Sequence, residues 1–528
     1  MALFGAFRLA GAGFKLARAG LYGYVDPATL PAGGDLAIRL ARLIEKPCKS
    51  DDERAERVSR VFNELGPSYI KFGQFLSTRA DIVGPEMALA LASLKDDIPA
   101  FGRPKAVEVI EATFDARLDD LFQSFSEPIA AASIAQVHRA VLKPDPDGLD
   151  DEPRARAIKV LRPGVRKRFK NDLASYFAAA RLIDRFVPPA RRLKPLDVVA
   201  TLDRSATLEM DLRIEAAALS EMAEKTARDP GFRVPKVDWS LTGRDVLAIE
   251  WIDGVKLSDI AGIDAAGHDR KALAATVMQS FLRHALRDGF FHADMHEGNL
   301  FVEADGTLVA VDFGIMGRLG AKERRFLAEI LYGFIRRDYM RIAEVHFEAG
   351  YVPATHAVED FAQALRAVGE PIQGKQARDI SMAKLLGLLF EITDLFDMAT
   401  RPELIMLQKT MVVVEGVARK LDADFNMWQT ADPVVSEWMA ANLGPASRLR
   451  DVADGAGALA RLAGQLPALA TRAGELSQAF AGMARDGMVL DPRTVAAIAD
   501  AEAARTRSGR IATWIGALAL VGILLAVL

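Results

Sequence analysis

Cysteine is nearly absent from this sequence: Cys48 is the only one among 528 residues. That excludes an intramolecular disulfide and a metal cluster built on cysteine, and it suits a reducing compartment. An excess of charge of one sign is also lacking. Lys and Arg number 67 against 71 Asp and Glu, a net charge of −4, so no basic footprint points to nucleic acid as a partner. No uninterrupted apolar run opens the chain. Arg8, Lys15 and Arg18 break up Phe4, Phe7, Leu9, Phe14, Leu16 and Leu21, so no secretory h-region forms. For residues 1–25 this basic, amphipathic segment leaves an interfacial helix and an ordinary surface helix equally open. A Gly-x-Gly-x-x-Gly after a strand is missing too, which argues against a flavin or dinucleotide fold. No 2-His-1-carboxylate set supports an oxygenase.

What is present is length and apolar content. Half of the residues are apolar, and the chain is long enough for two or three structural units. One long apolar run does occur, at the other end. Ile511–Leu528 is eighteen residues without a charge, behind Arg505, Arg507 and Arg510. As a helix it covers roughly 27 Å, against a hydrocarbon core of ~30 Å. It reads as a membrane anchor, with the arginines placing the preceding domain on the cytoplasmic side of the inner membrane.

Periodicity divides the rest. Residues 26–120 read as helices, with apolar steps such as Val58, Val61, Phe62 and Leu65. From 121 the texture changes. Gln136–Val141, Ala157–Leu161 and Val246–Trp251 read as strands, and Lys143–Pro153, with three prolines and five acids, as a solvated loop. Residues 254–443 read as mostly helical, interrupted by a hairpin: strand Asn299–Val302, turn Glu303–Gly306, strand Thr307–Val311. Residues 444–510 are an Ala-rich helical tail with an apolar seam, Val452 to Met483, kinked at Pro467.

The chemistry-bearing sequence is His292-Ala-Asp294-Met-His296-Glu-Gly-Asn299, followed by Val311-Asp312-Phe313-Gly314. Phosphoryl transfer needs a carboxylate to orient or deprotonate the nucleophile, and oxygen ligands that hold Mg²⁺ against phosphate. Asp294 suits the first role. Asn299 and Asp312 suit the second, because a hairpin brings its two ends together and Mg²⁺ accepts few protein oxygens. A metal site on His292 and His296 has helical spacing but lacks a nearby third ligand; His292 reads instead as a prop for the loop. Upstream, Lys159 sits inside an apolar strand, where an unpaired ammonium is costly, so it needs an anion. ATP phosphates and a helical glutamate, Glu215, would supply one. Ahead of it, Ile129-Ala130-Ala131-Ala132-Ser133-Ile134-Ala135-Gln136-Val137 stands where a kinase has its Gly-rich loop. Small side chains let backbone N–H groups approach phosphate, and alanine makes such a loop stiffer than glycine.

In this order the motifs resemble the UbiB/ABC1 family of atypical kinase-like proteins. The specific element is Lys71-Phe72-Gly73-Gln74, which resembles the family's KxGQ motif. Glu209 and Asp211 match its ExD motif, expected to face KxGQ, and Glu215 matches the partner of the strand lysine. The resemblance implies an α+β fold: two protein-kinase-like lobes, 121–253 and 254–443, with an N-terminal helical extension over the active site and a C-terminal membrane helix. It implies ATP and Mg²⁺ as cofactors. Lys71, Gln74, Lys159, Glu215 and Asp294 are the implied catalytic set, and Glu209, Asp211, Glu250 and Ile252 join residues 129–137 and Lys159 in nucleotide binding. It implies an ATPase or small-molecule kinase that supports ubiquinone biosynthesis, with membrane lipid, ubiquinone precursors or their biosynthetic enzymes as partners. An ATP-gated scaffold or lipid-extraction factor is the alternative, and a homodimer stays open. Two departures stand out: the family's C-terminus often suggests two membrane segments where only Ile511–Leu528 is found here, and the kinase loop motifs are incomplete. His-Arg-Asp is replaced by His292-Ala293-Asp294, and no Ala-Pro-Glu follows Asp312, which argues against control by activation-loop phosphorylation.

Overall fold

The structure, a computed structural model, describes residues 2–24, 43–48, 50–77, 98–144, 154–186, 191, 194–373 and 402–444, with isolated positions in 83–94 and 392–398. Among the described residues three α-helices come first: α1 (Ala2–Ala19), α2 (Asp51–Leu65) and α3 (Pro67–Ser77). Ser50 caps α2 by accepting from the Glu53 N–H at 3.2 Å, and Gly66 ends it with φ 97°, a conformation that favours glycine. Pro67 then opens α3, where a missing N–H costs nothing. Val58, Phe62, Tyr69 and Ile70 are buried along the seam of α2 and α3. Gly73 is required by packing: a Cβ there would collide with Leu94 and stand 3.0 Å from Phe62. Helix α1 docks on this layer through Ala12, Leu16 and Ala19, and leaves Phe14 exposed.

Next come α4 (Arg103–Phe114), the single turn α5 (Leu118–Leu121), and strands β1 (Phe122–Ala131), β2 (Ala135–Leu142) and β3 (Ala155–Leu161). With β5 (Val246–Glu250) they form a four-stranded antiparallel sheet in the order β1-β2-β3-β5. Strand β3 alternates as a two-sided strand must. Ile158 and Val160 face α4, packing with Ala106, Ile110, Ala140 and Ala248, while Ala157 and Leu161 face the main core. Because α4 fills one face of this sheet, the stretch 26–120 contributes to the N-lobe core as well as to the extension.

Between β3 and β5 the chain is mainly helical; the sequence reading placed Glu215 on a helix there but named no helix over 165–209. Helices α6 (Val165–Phe186) and α7 (Pro195–Glu209) form a hairpin, and α6 packs on α1 and α3. Helix α8 (Leu212–Thr226) and the short β4 (Phe232–Arg233) follow. The cause is legible afterwards: Phe169, Leu173, Tyr176 and Ala180 are buried at helical spacing.

The second lobe contains β6 (Val255–Lys256), α9 (Ile260–Ala265) and α10 (Arg270–Arg283), which passes into one turn of π-helix, His284–Asp288. Then come β7 (Phe290–His292), β8 (Leu300–Val302), β9 (Leu308–Ala310) and β10 (Met316–Arg318). Among the described residues, helices α11 (Ala321–Arg336), α12 (Tyr339–Glu348), α13 (Val358–Gln373), α14 (Pro402–Leu421) and α15 (Met427–Leu443) follow. The hairpin is as expected but shorter: Asn299 lies in a 3-10 turn ahead of β8, and the ladder stops at Ala310. Strand β4 pairs parallel with β9, giving a sheet β4-β9-β8-β6. A strand from the N-lobe stretch is therefore built into the second lobe.

Met1–Ala440 form one unit and Ala441–Leu528 another, of which the described part is Ala441–Gly444, ending α15. Among the described residues no helix is long and apolar enough to cross a membrane. The expected anchor Ile511–Leu528, the Ala-rich tail with Pro467, and residues 145–153 lie outside the described residues.

Candidate active site

Lys159, from the middle of β3, donates to both carboxylate oxygens of Glu215 on α8, at 2.7 and 2.9 Å, and to Asp312 Oδ2 at 3.2 Å. Three segments far apart in the chain thus meet on one ammonium. Glu215 is 7% exposed. Burial and the nearby Asp312 charge push its carboxyl up. Burial works against the charge on Lys159 too, but its two carboxylates outweigh that and hold it protonated. Burial would likewise raise Asp312, yet the Lys159 charge and the Gly314 N–H, 3.0 Å from Oδ1, hold it well below the usual range. Phe313, fully buried, packs its ring 4.9 Å from that of His292.

The loop that carries Asp294 leaves β7 at His292. The Asp294 N–H donates to His292 Nδ1 at 3.0 Å, so the ring proton sits on Nε2. Burial lowers the His292 pKa to about 4, leaving the ring neutral. His292 is a prop. His296 Nδ1 accepts from the Gly298 N–H at 3.0 Å, and among the described residues no three His, Cys, Asp or Glu groups are placed to hold a metal. Asp294 itself is 38% exposed, with His296 Nε2 at 3.7 Å.

Asn299 donates its amide to the Asp294 carbonyl at 3.3 Å, leaving Oδ1 as its acceptor atom. The Val311 N–H donates to the Asn299 carbonyl at 3.0 Å, which brings residues 299 and 312 to the same end of the hairpin. An amide oxygen and a carboxylate there fit a magnesium ion that takes its remaining oxygens from phosphate and water.

Lys71 of α3 pairs with Glu209, the last residue of α7, at 2.7 Å; the two side chains are 13% and 16% exposed. Gln74, one turn on, has Oε1 buried without a hydrogen-bond partner among the described residues.

Residues 93–346 match the ABC1 atypical kinase-like domain, and residues 365–426 match the UbiB helical domain. The chain is 38% identical over 404 residues to a protein of Marinobacter nauticus named probable protein kinase UbiB, covering 76% of this chain and 72% of that one. A protein of the same name from Azotobacter vinelandii is 39% identical over 406 residues, 76% and 74% of the two chains. This chain belongs to the UbiB/ABC1 family of atypical kinase-like proteins. A solved complex of Rv3197 with erythromycin from Mycobacterium tuberculosis covers 73% of this chain and 96% of its own, at 23% identity and a TM-score of 0.47.

Within this UbiB-type site, several expected residues stand elsewhere. Of the ExD pair only Glu209 faces Lys71. Asp211 caps α8, accepting from the Arg213 N–H at 3.2 Å, and binds the Arg213 side chain at 2.7 and 2.9 Å. The open N–H groups at a helix start claim the carboxylate. The stretch 129–137 is mostly strand, since β1 runs to Ala131 and β2 begins at Ala135, so only Ala132, Ser133 and Ile134 make the turn. Ser133 is fully buried. Gln136 points inward, its Oε1 accepting from the Phe101 N–H at 2.8 Å. Arg162 ties the turn by donating to the carbonyls of Ala132 and Ser133 at 3.1 and 3.2 Å.

The Glu250 carboxylate is committed to Arg233, at 2.9 and 3.0 Å, and Ile252 is buried. Sequence reasoning missed Arg233, although a charged residue between Phe232 and Val234 is the same signal that singled out Lys159. It also missed two residues of α14, a stretch read correctly as helical: the buried Thr410 hydroxyl lies 2.9 Å from the Ala293 carbonyl, and Lys420 pairs with Glu297 at 2.6 Å.

Proposed function

We propose that this chain is an atypical kinase or ATPase that uses Mg·ATP and supports ubiquinone biosynthesis at the cytoplasmic face of the inner membrane. The observation that carries the reading is the contact of Lys159 with both Glu215 and Asp312. An ammonium held in place by two carboxylates is prepared to meet phosphate oxygens. Bound Mg²⁺ would supply charge neutralisation between phosphates, with Asn299 and Asp312 as its protein ligands. Asp294, exposed and fixed through its backbone to neutral His292, would orient or deprotonate the acceptor hydroxyl.

The acceptor in this reading is a small or lipid-borne phenol and not a protein. Helix α3 is tied through Lys71 to Glu209, six residues before Glu215 in the chain, which favours a restricted cleft. An isoprenoid phenol partitions into membrane, and a chain anchored through Ile511–Leu528 would meet it there. The ubiquinone assignment rests on the name UbiB borne by the relatives. Product analysis tests it: full-length protein in liposomes with Mg·ATP and a prenylated phenol should yield a phosphorylated lipid. ADP and phosphate alone would replace the kinase with an ATP-gated machine.

A further inference from the structure

One arginine outside the Lys159 cluster spans the two lobes. Arg233 Nη1 and Nη2 donate to Glu250 at 3.0 and 2.9 Å, while Nε and Nη2 donate to Glu303 at 2.7 and 2.6 Å. Glu250 is the last residue of β5, in the N-lobe sheet. Glu303 opens the turn between β8 and β9, where its N–H donates to the Thr307 carbonyl at 3.0 Å. Arg233 is itself fixed from beneath, because β4 pairs with β9 through Phe232↔Leu308 and Arg233↔Val309. The three side chains are 33%, 20% and 23% exposed, so water screens them only in part. A planar guanidinium can bind two carboxylates with fixed geometry, which a lysine cannot.

We propose that Arg233 is a positioning residue that sets the spacing between the N-lobe strand end at Glu250 and the hairpin that carries Asn299 and Asp312. The hairpin begins one residue after Asn299 and ends two before Asp312. A nucleotide held by both lobes must match that spacing. With the brace intact the spacing exists before the nucleotide arrives. Without it, part of the binding energy goes into bringing the lobes to register, which raises the apparent dissociation constant but leaves the assembled complex competent. The inference rests on the Mg·ATP reading above.

The test compares wild type, Arg233→Gln, Arg233→Lys and the milder Glu303→Gln. The expected result is a KM for Mg·ATP raised about tenfold in Arg233→Gln with kcat within about twofold, because the cost of bringing the lobes to register is paid equally by the bound ground state and the transition state. Arg233→Lys should recover part of the loss, and Glu303→Gln should share it. A variant that was merely less folded would lose kcat at constant KM, and that result overturns the proposal, as does an unchanged KM in both Arg233→Gln and Glu303→Gln. Hydrogen exchange of residues 300–310 is the readout that needs no turnover. It should quicken in Arg233→Gln, and equal exchange would also overturn the brace. Wild-type protein that binds no Mg·ATP would instead sink the nucleotide reading, with the exchange result still deciding the brace.

Discussion

Lys159 and Asp312 lie 153 positions apart in sequence and meet at 3.2 Å. The contact joins the middle of the N-lobe sheet to the loop after the second-lobe hairpin. Glu215 completes it from α8. Removing the shared cation leaves two carboxylates facing each other, one of them buried.

Lys159→Met is therefore expected to cost both stability and activity. Breaking a buried pair by removing one partner costs about 3 kcal/mol at the low end, and the low end applies because Asp312 is 42% exposed. Denaturant unfolding measures this. ATP turnover should fall by about a hundredfold or more, the loss typical of removing a preorganised charge from a reacting phosphate.

Asp312→Asn separates the proposed metal role from the structural one. It keeps an acceptor for the Gly314 N–H but removes the charge. The magnesium concentration for half-maximal nucleotide binding should rise about tenfold or more, in line with losing a carboxylate ligand. A titration of nucleotide binding against Mg²⁺ reads it directly, and an unchanged midpoint removes Asp312 from the metal site.

The tie between Lys71 and Glu209 is suited to a double-mutant cycle. Both side chains are largely buried at 2.7 Å, so Lys71→Ala and Glu209→Ala should couple by about 1 kcal/mol in unfolding measurements. Additive effects would mean that the two do not hold α3 to α7.

His292 gives the protein a pH-dependent stability whose sign is fixed. Its pKa falls from 6.5 to about 4 on burial, so as pH drops the unfolded chain takes up the proton first. The contribution is complete above pH 6.5 and is lost as pH falls toward 4, by up to about 3 kcal/mol. His292→Asn, which retains an acceptor for the Asp294 N–H, should flatten the slope of unfolding free energy between those pH values.

How much of this was legible in the sequence depends on how local each constraint is. Lys159 announced itself because a lysine in an apolar strand demands a partner, and the hairpin between Asn299 and Asp312 because its turn residues are local. The α6–α7 hairpin went unread although Phe169, Leu173, Tyr176 and Ala180 have helical spacing; its packing against α1 and α3 is what only the folded chain reveals. The resemblance implies Asp211, through its ExD motif, and Glu250 in nucleotide binding, but a carboxylate side chain points at whichever donor tertiary structure brings. For Asp211 that donor is the start of α8 with Arg213. For Glu250 it is Arg233, delivered when β4 joins the second-lobe sheet. The expected Gly-rich-type loop at 129–137 falls on the β1–β2 connection, with the turn confined to Ala132, Ser133 and Ile134 because alanines with little backbone freedom extend the two strands.

The most direct measurement is phosphate release from Mg·ATP by the full-length protein in liposomes, beside Asp294→Asn, with nucleotide binding measured on both. Asp294 is exposed and makes its main fixed contact through its backbone N–H, so the substitution should leave the fold and nucleotide affinity intact. The account predicts turnover in the wild type and a loss of about a hundredfold or more in Asp294→Asn, as for removal of a catalytic base. Equal turnover in the two proteins would contradict it.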